Sequence, residues 1–180
     1  MLKNETLMDI YQLKDVIRYN CRKHIKDESV AEHSFYVALM SLMICEEKKI
    51  KDDEIIQKAI IKSLLHDMPE IELNDITHNV KEALNLRPML KKYEDEYFKY
   101  KFTEYAKLMI DDEDNIVNTI VLLADALSVK QFCMNEINLG SQDKEIHKIY
   151  ESSCARCEKH EKHLDELLKV VPHRAEHYFD

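Results

Sequence analysis

Along most of the chain apolar residues recur at three- and four-residue spacing, the period of an amphipathic helix. A first helix is predicted over about residues 4–19. A second opens at Ser29, where Glu32 three positions on completes a capping box that satisfies otherwise orphan amides. It runs through Val30, Val37, Leu39, Met40, Leu42 and Met43 to the lysines at 48 and 49. Asp52 or Asp53 opens a third, with Ile56, Ile60, Ile61, Leu64 and Leu65 on its apolar side and its end near His66 and Asp67. Pro69 disfavours α geometry at Met68 and stops it there. The stretch from Glu70 to Leu86 reads as irregular with short helical turns. Further helices are predicted from about Pro88 to Leu108, Asp114 to Asn138 and Lys144 to Val170. The run IVNTIVLLADAL is rich in β-branched residues, but its length and the spacing of Ile116, Ile120, Leu123 and Leu127 favour a buried helix over a strand.

Composition agrees with the pattern. The 180 residues include one glycine, Gly140, and three prolines, with no Asn-Gly or Asp-Gly pair to turn a hairpin. A sheet fold is disfavoured, and one glycine cannot build a dinucleotide fingerprint or a P-loop. The expected class is all-α, about six main helices in one domain spanning 1–180, with the helix at 144–170 packed on the rest. No repeat or low-complexity linker divides the chain. Thirty-five acidic against 26 basic residues leave a net charge of −9, which repels polynucleotides and anionic membranes. No nucleic-acid polymer and no membrane is expected as partner, although a local positive cluster can still hold one small anion. No window approaches the roughly 20 apolar residues of a membrane span. Five scattered cysteines without a secretory signal point to a reduced, cytoplasmic protein.

Five residues stand out against the apolar pattern. His66 and Asp67 close an oily helix in SLLHDMPE, and Glu70 follows within reach of the same helix end. A bare His-Asp pair is more often a satisfied helix-end pair than a ligand set. His33 lies among core positions of the capped helix, where a hydrogen-bonded core histidine is the commoner fate. Asp125 shares a helical stripe with Val117, Val121, Ser128 and Phe132, and a buried carboxylate there needs a cation or a network of donors. Two histidines and two aspartates suit a divalent transition metal such as Mn, Co, Fe or Zn, whereas calcium would want more oxygens.

His33, His66-Asp67 and Asp125 together resemble the H…HD…D signature of the HD-domain metal-dependent phosphohydrolases. The flanking text resembles the bacterial 5′-deoxynucleotidases within that superfamily: ESVAEHS around His33, HDMPEIELND running to Asp75, and Asp125 in an AD-x-L stretch. Arg18, followed by aromatic Tyr19, stands fifteen residues before His33, where the subfamily has an Arg-aromatic pair. The likeness spans about residues 10–140. It departs at Tyr19, where tryptophan is usual, and at Ile76-Thr77, where Leu-Pro is usual.

The resemblance implies hydrolysis of deoxyribonucleoside 5′-monophosphates to deoxynucleoside and phosphate. His33, His66, Asp67 and Asp125 would hold one divalent ion (Co, Mn, Fe, Zn or Mg). Glu70 would act on the water, Arg18 would bind the phosphate, and Tyr19 and Asp75 would contact the nucleoside, Asp75 at the sugar 3′-hydroxyl. A homodimer is implied as well. The alternatives are an HD phosphodiesterase or alarmone (pyro)phosphohydrolase, which carries Glu-Asp where this chain has Glu70-Ile71, and a non-catalytic nucleotide-binding module. CARCEKHEKH places Cys154, Cys157, His160 and His163 at intervals of three, but positions rotating by about 60° per step cannot surround one ion. Cys154 and Cys157 are expected in the core, His160 and His163 in solvent. His24, Arg22, Lys23 and Lys26, near the expected mouth, are read as a solvated loop.

Overall fold

The computed structural model describes residues 4–111, 113 and 115–170. The fold is all-α. In chain order the helices are α1 (Asn4–Gln12), a 3-10 turn (Leu13–Asp15), α2 (Val30–Glu47), α3 (Asp53–Leu65), α4 (Glu70–Leu73), α5 (His78–Ala83), α6 (Arg87–Lys101), α7 (Ala106–Ile110), α8 (Ile116–Asn138) and α9 (Lys144–Val170). Six of these have nine residues or more. The segment after Val170, with Pro172, lies outside the described residues, as does Asp114.

The caps form as the sequence spells them. Ser29 Oγ accepts from Glu32 N while Glu32 accepts from Ser29 N at 2.8 Å, a device that contributes about 1 kcal/mol to a helix start. Asp52 caps α3 and Asn115 caps α8. Gly140 ends α8 at φ +99°, with Ser141 N donating to Glu136 O at 2.9 Å, the Schellman arrangement that left-handed backbone permits.

Two boundaries differ from expectation. The first helix stops at Gln12, not near residue 19. Val16 turns extended, Ile17 bridges Ser29 in antiparallel sense, and Arg18 N donates to Glu28 O. Leu13 and Val16 are thereby buried against Met68, Tyr97 and Phe98. The helix expected to reach Leu108 breaks at Phe102, which folds back onto Phe98 and Tyr97 and sends Ala106 and Met109 into that same cluster.

α8 is the axis of the molecule, packed against α2, α3 and α9. By length and composition it could cross a membrane, contrary to the expectation from sequence, yet 61% of its apolar window is buried inside the fold. Val37, Ile44, Ala59, Ile120, Leu123 and Leu164 form the main core among these helices, and buried Ser41 and Ser63 join α2 to α3 at 2.8 Å. A smaller cluster around Val129, Phe132, Cys133 and Ile146 seats the end of α8. His33 falls between Val30 and Val37, which belong to different clusters, and Asp125 and Ser128 fall between Ala124 and Val129 in the same way. The candidate residues thus occupy the seam between packed cores. Cys157 is buried as expected, whereas Cys154, also expected in the core, is half-buried, as are His160 and His163.

Candidate metal centre

α2 supplies His33, the end of α3 supplies His66 and Asp67, and α8 supplies Asp125. His33, His66 and Asp125 offer donor atoms that all lie within 4.8 Å of one another. His33 Nε2 is 3.4 Å from Asp125 Oδ1 and 3.5 Å from Asp67 Oδ2, and His66 Nε2 is 3.1 Å from Asp67 Oδ2. Asp67 therefore reaches both imidazoles, although it stands outside the tighter group of three. Donors about 2.1 Å from a common ion lie roughly 3.0–3.4 Å apart, a range these three pair distances approach within a group that spans up to 4.8 Å.

The imidazoles are turned for that purpose. His66 Nδ1 faces Ser63 O at 2.8 Å, and His33 Nδ1 faces Ser128 Oγ at 3.0 Å and Arg18 Nη1 at 2.7 Å. Both Nε2 atoms are buried without a hydrogen-bond partner. A buried imidazole nitrogen left unpaired is costly, and two facing carboxylates are what a divalent cation resolves. The His66–Asp67 junction arises at the break before Pro69, where Met68 N and Glu70 N close turns onto Leu65 O and Asp67 O.

The electrostatics carry the same sense. Burial, then the Arg18 charge, pushes His33 down to about 4. Burial works against charge on His66 and Asp67, but each raises its partner's ionised form: His66 is lifted and Asp67 is held below the usual carboxylate range. Burial opposes ionisation of Asp125 too, yet its close contact with His33, then the Arg156 charge, keep it low. Glu70 is driven well above the carboxylate range by burial and by Asp67 and Asp75. Its Oε2 is buried and unpartnered.

Beside the centre lies a cavity of about 60 Å³, lined by His66, Asp67, Glu70, Asn74, Lys81 and Glu94 among others. It is polar and large enough for water. Arg18 is mostly buried, its Nη1 shared between Glu28 Oε2 at 2.8 Å and the rear of His33. Tyr19 takes φ +56°, donates its N–H to Asp75 Oδ2 at 2.6 Å and stacks on Phe132 with ring centroids 5.0 Å apart. Asp75 is thus also a tether for the turn that carries Arg18 and Tyr19. His24 meets the edge of Phe132 and pairs with Asp27.

Three residues of the site escape sequence reasoning. Lys81 lines the cavity from α5, and Arg156 on α9 binds Asp125 Oδ2 at 2.6 Å. Glu136, 1% exposed, accepts from Ile25 N and Lys26 N at 2.6 and 2.9 Å and pins the 19–28 loop to α8. A charged residue in an apolar helix was the available signal for Glu136; its partners lie more than a hundred positions away. Glu136→Ala strips two amides of their acceptor, with an expected loss of about 2–3 kcal/mol and a Tm drop of roughly 5–10 °C by calorimetry.

Comparison with known proteins agrees. The family model described as an HD domain matches residues 10–120. A 4′-phosphooxetanocin A phosphatase of Priestia megaterium is 26% identical over 181 residues, covering 95% of this chain and 89% of that protein. A 5′-deoxynucleotidase of Photorhabdus temperata is 23% identical over 176 residues, covering 88% and 86%. An HD-domain phosphohydrolase from Listeria innocua superposes with a TM-score of 0.75 at 17% identity, over 95% of this chain and 88% of its own. The cyanophage S-2L HD phosphohydrolase, solved with dA and one catalytic Zn²⁺ ion, gives 0.67 at 17% identity, over 94% and 95%. The chain therefore belongs to the HD domain family, as a metal-binding phosphohydrolase that resembles the 5′-deoxynucleotidases.

Proposed function

We propose that the protein hydrolyses deoxyribonucleoside 5′-monophosphates, with residues 1–180 acting as one unit. The observation that carries this reading is the pair of buried, unpartnered Nε2 atoms beside the buried, unpartnered oxygen of Glu70. His33, His66, Asp67 and Asp125 are the ligands of one divalent ion. When bound, such an ion supplies a water of lowered pKa and polarises a phosphate oxygen. Glu70 would orient that water, take its proton as the new P–O bond forms, and return it to the sugar 5′ oxygen as the old P–O bond breaks, releasing the alcohol and phosphate. Arg18 and Lys81 offer positive charge to a dianionic phosphate that a protein of net charge −9 otherwise repels. Asp75 meets the sugar 3′-hydroxyl and Tyr19 the nucleoside. The names of the Priestia and Photorhabdus relatives support the substrate class.

The same reading makes the protein a cytoplasmic homodimer. The exposed apolar residues Phe35, Leu39 and Met43 on α2 are the surface a second copy would cover.

The test is phosphate release from a panel of deoxyribo- and ribonucleoside 5′-monophosphates, alarmones and phosphodiesters, assayed with Co²⁺, Mn²⁺, Zn²⁺ and Mg²⁺ in turn. Fastest release from deoxyribonucleotides is expected. Preference for an alarmone or a diester would move the activity to another HD class, and no release from any would leave a binding module.

Two variants probe the assignment more finely. Arg18→Ala raises KM and lowers kcat/KM by roughly 100-fold at saturating metal, with any fall in metal affinity, through its contact with His33 Nδ1, no larger than about tenfold. Ser128→Ala removes the hydroxyl that lies 3.0 Å from His33 Nδ1 and helps fix the orientation of the ring. Metal affinity falls by roughly tenfold in competition with a chelator.

A further inference from the structure

We propose that Arg156 is a positioning residue that holds Asp125 to the metal through one oxygen only. The inference rests on the metal-centre reading above. The two oxygens of Asp125 are divided: Oδ1 lies 3.4 Å from His33 Nε2, inside the donor cluster, while Oδ2 is bound by Arg156 Nη2 at 2.6 Å. A charge-assisted bond of that length engages the outer oxygen and opposes its rotation toward the cluster.

The arginine is held firmly at its base. On the same stretch of α9, Ser153 and Cys157 are buried, and Ile146 and Leu164 are buried at either end of it. α8 and α9 pack along their length. Asp125 and Arg156 therefore face each other across a seam whose register the core sets. The guanidinium itself, with the side chain 40% exposed, sits at the rim where water or a ligand can approach.

The consequence concerns open positions at the ion. A carboxylate that chelates through both oxygens takes a position that water or a phosphate oxygen would otherwise use. By engaging Oδ2, Arg156 keeps Asp125 from doing so. It also gives α9, which lies beyond the span 10–120 matched by the family model, a part in the site.

The test compares cobalt binding to the full chain as wild type, Arg156→Ala, Arg156→Lys and Asp125→Ala, alone and combined with Arg156→Ala. Readouts are the visible absorption band of bound Co²⁺ and its dissociation constant against a competing chelator. We expect Arg156→Ala to alter the band and tighten binding by roughly tenfold, because Oδ2 becomes free to take a second position at the ion and a neighbouring positive charge is lost. Arg156→Lys, which still offers one charged donor, restores most of both. In the Asp125→Ala background Arg156→Ala has no further effect, because the arginine acts through the aspartate. A wild-type band and affinity in Arg156→Ala overturn the proposal, as does an equal change on adding Arg156→Ala in the Asp125→Ala background. Failure of wild type itself to take up cobalt instead overturns the metal-centre reading, and this inference with it.

Discussion

His66→Ala abolishes metal-dependent phosphate release, by at least about 10³-fold, and removes the thermal shift that added Co²⁺ or Mn²⁺ gives the wild type. His66 Nε2 lies 3.1 Å from Asp67 Oδ2 and shares the donor cluster with His33 and Asp125, so its loss opens one side of that cluster. Lewis-acid stabilisation at a phosphoryl oxygen is worth several kcal/mol, and about 4 kcal/mol corresponds to about a thousandfold in rate. The stability readout is independent of turnover. An ion present at a thousand times its dissociation constant stabilises the native state by about 4 kcal/mol, and that increment disappears with the site. The metal-free proteins should melt close together. His66 is buried beside Asp67, and alanine removes its burial cost together with that contact. A variant that kept both metal-dependent turnover and a metal-dependent melting shift would exclude His66 as a ligand.

What could be read from the chain was what local chemistry determines. The start of α2 is written in Ser29 and Glu32, and the span of α9 in its unbroken apolar period from Lys144 to Val170. Asp125 was conspicuous because a carboxylate on an apolar stripe has no cheap resting place. What could not be read depends on partners distant in sequence. α1 stops early because Ile17 finds Ser29, and no local residue announces that bridge. α6 breaks at Phe102 because three aromatic rings close on one another, a tertiary preference acting against helical periodicity. Arg156 is one charge among many in a charged helix, and only its place opposite Asp125 distinguishes it. Tyr19 and Asp75 were singled out for substrate, yet the backbone of one is already bonded to the side chain of the other. Their contact builds the turn that presents Arg18, so replacing Asp75 disturbs the turn as well as any contact to a sugar.

Glu70→Gln separates water activation from metal binding. Glu70 opens α4, its amide closed onto Asp67 O, which fixes the side chain beside the donor cluster and along the cavity wall. Its Oε2 is buried and unpartnered, and burial with Asp67 and Asp75 makes a bare charge there unfavourable in the metal-free protein. A nearby cation reverses that balance, so a carboxylate able to accept a proton is stabilised where a metal-bound water would sit. Glutamine keeps the shape but cannot take the proton. The expected result is a fall in kcat of about 10²–10⁴-fold, the usual range for a general base, with the cobalt dissociation constant within about threefold of wild type. Loss of metal along with turnover would make Glu70 a ligand. Retention of turnover would place proton transfer elsewhere, and Asp67, whose Oδ2 lies between the two imidazole Nε2 atoms, is the next carboxylate to test.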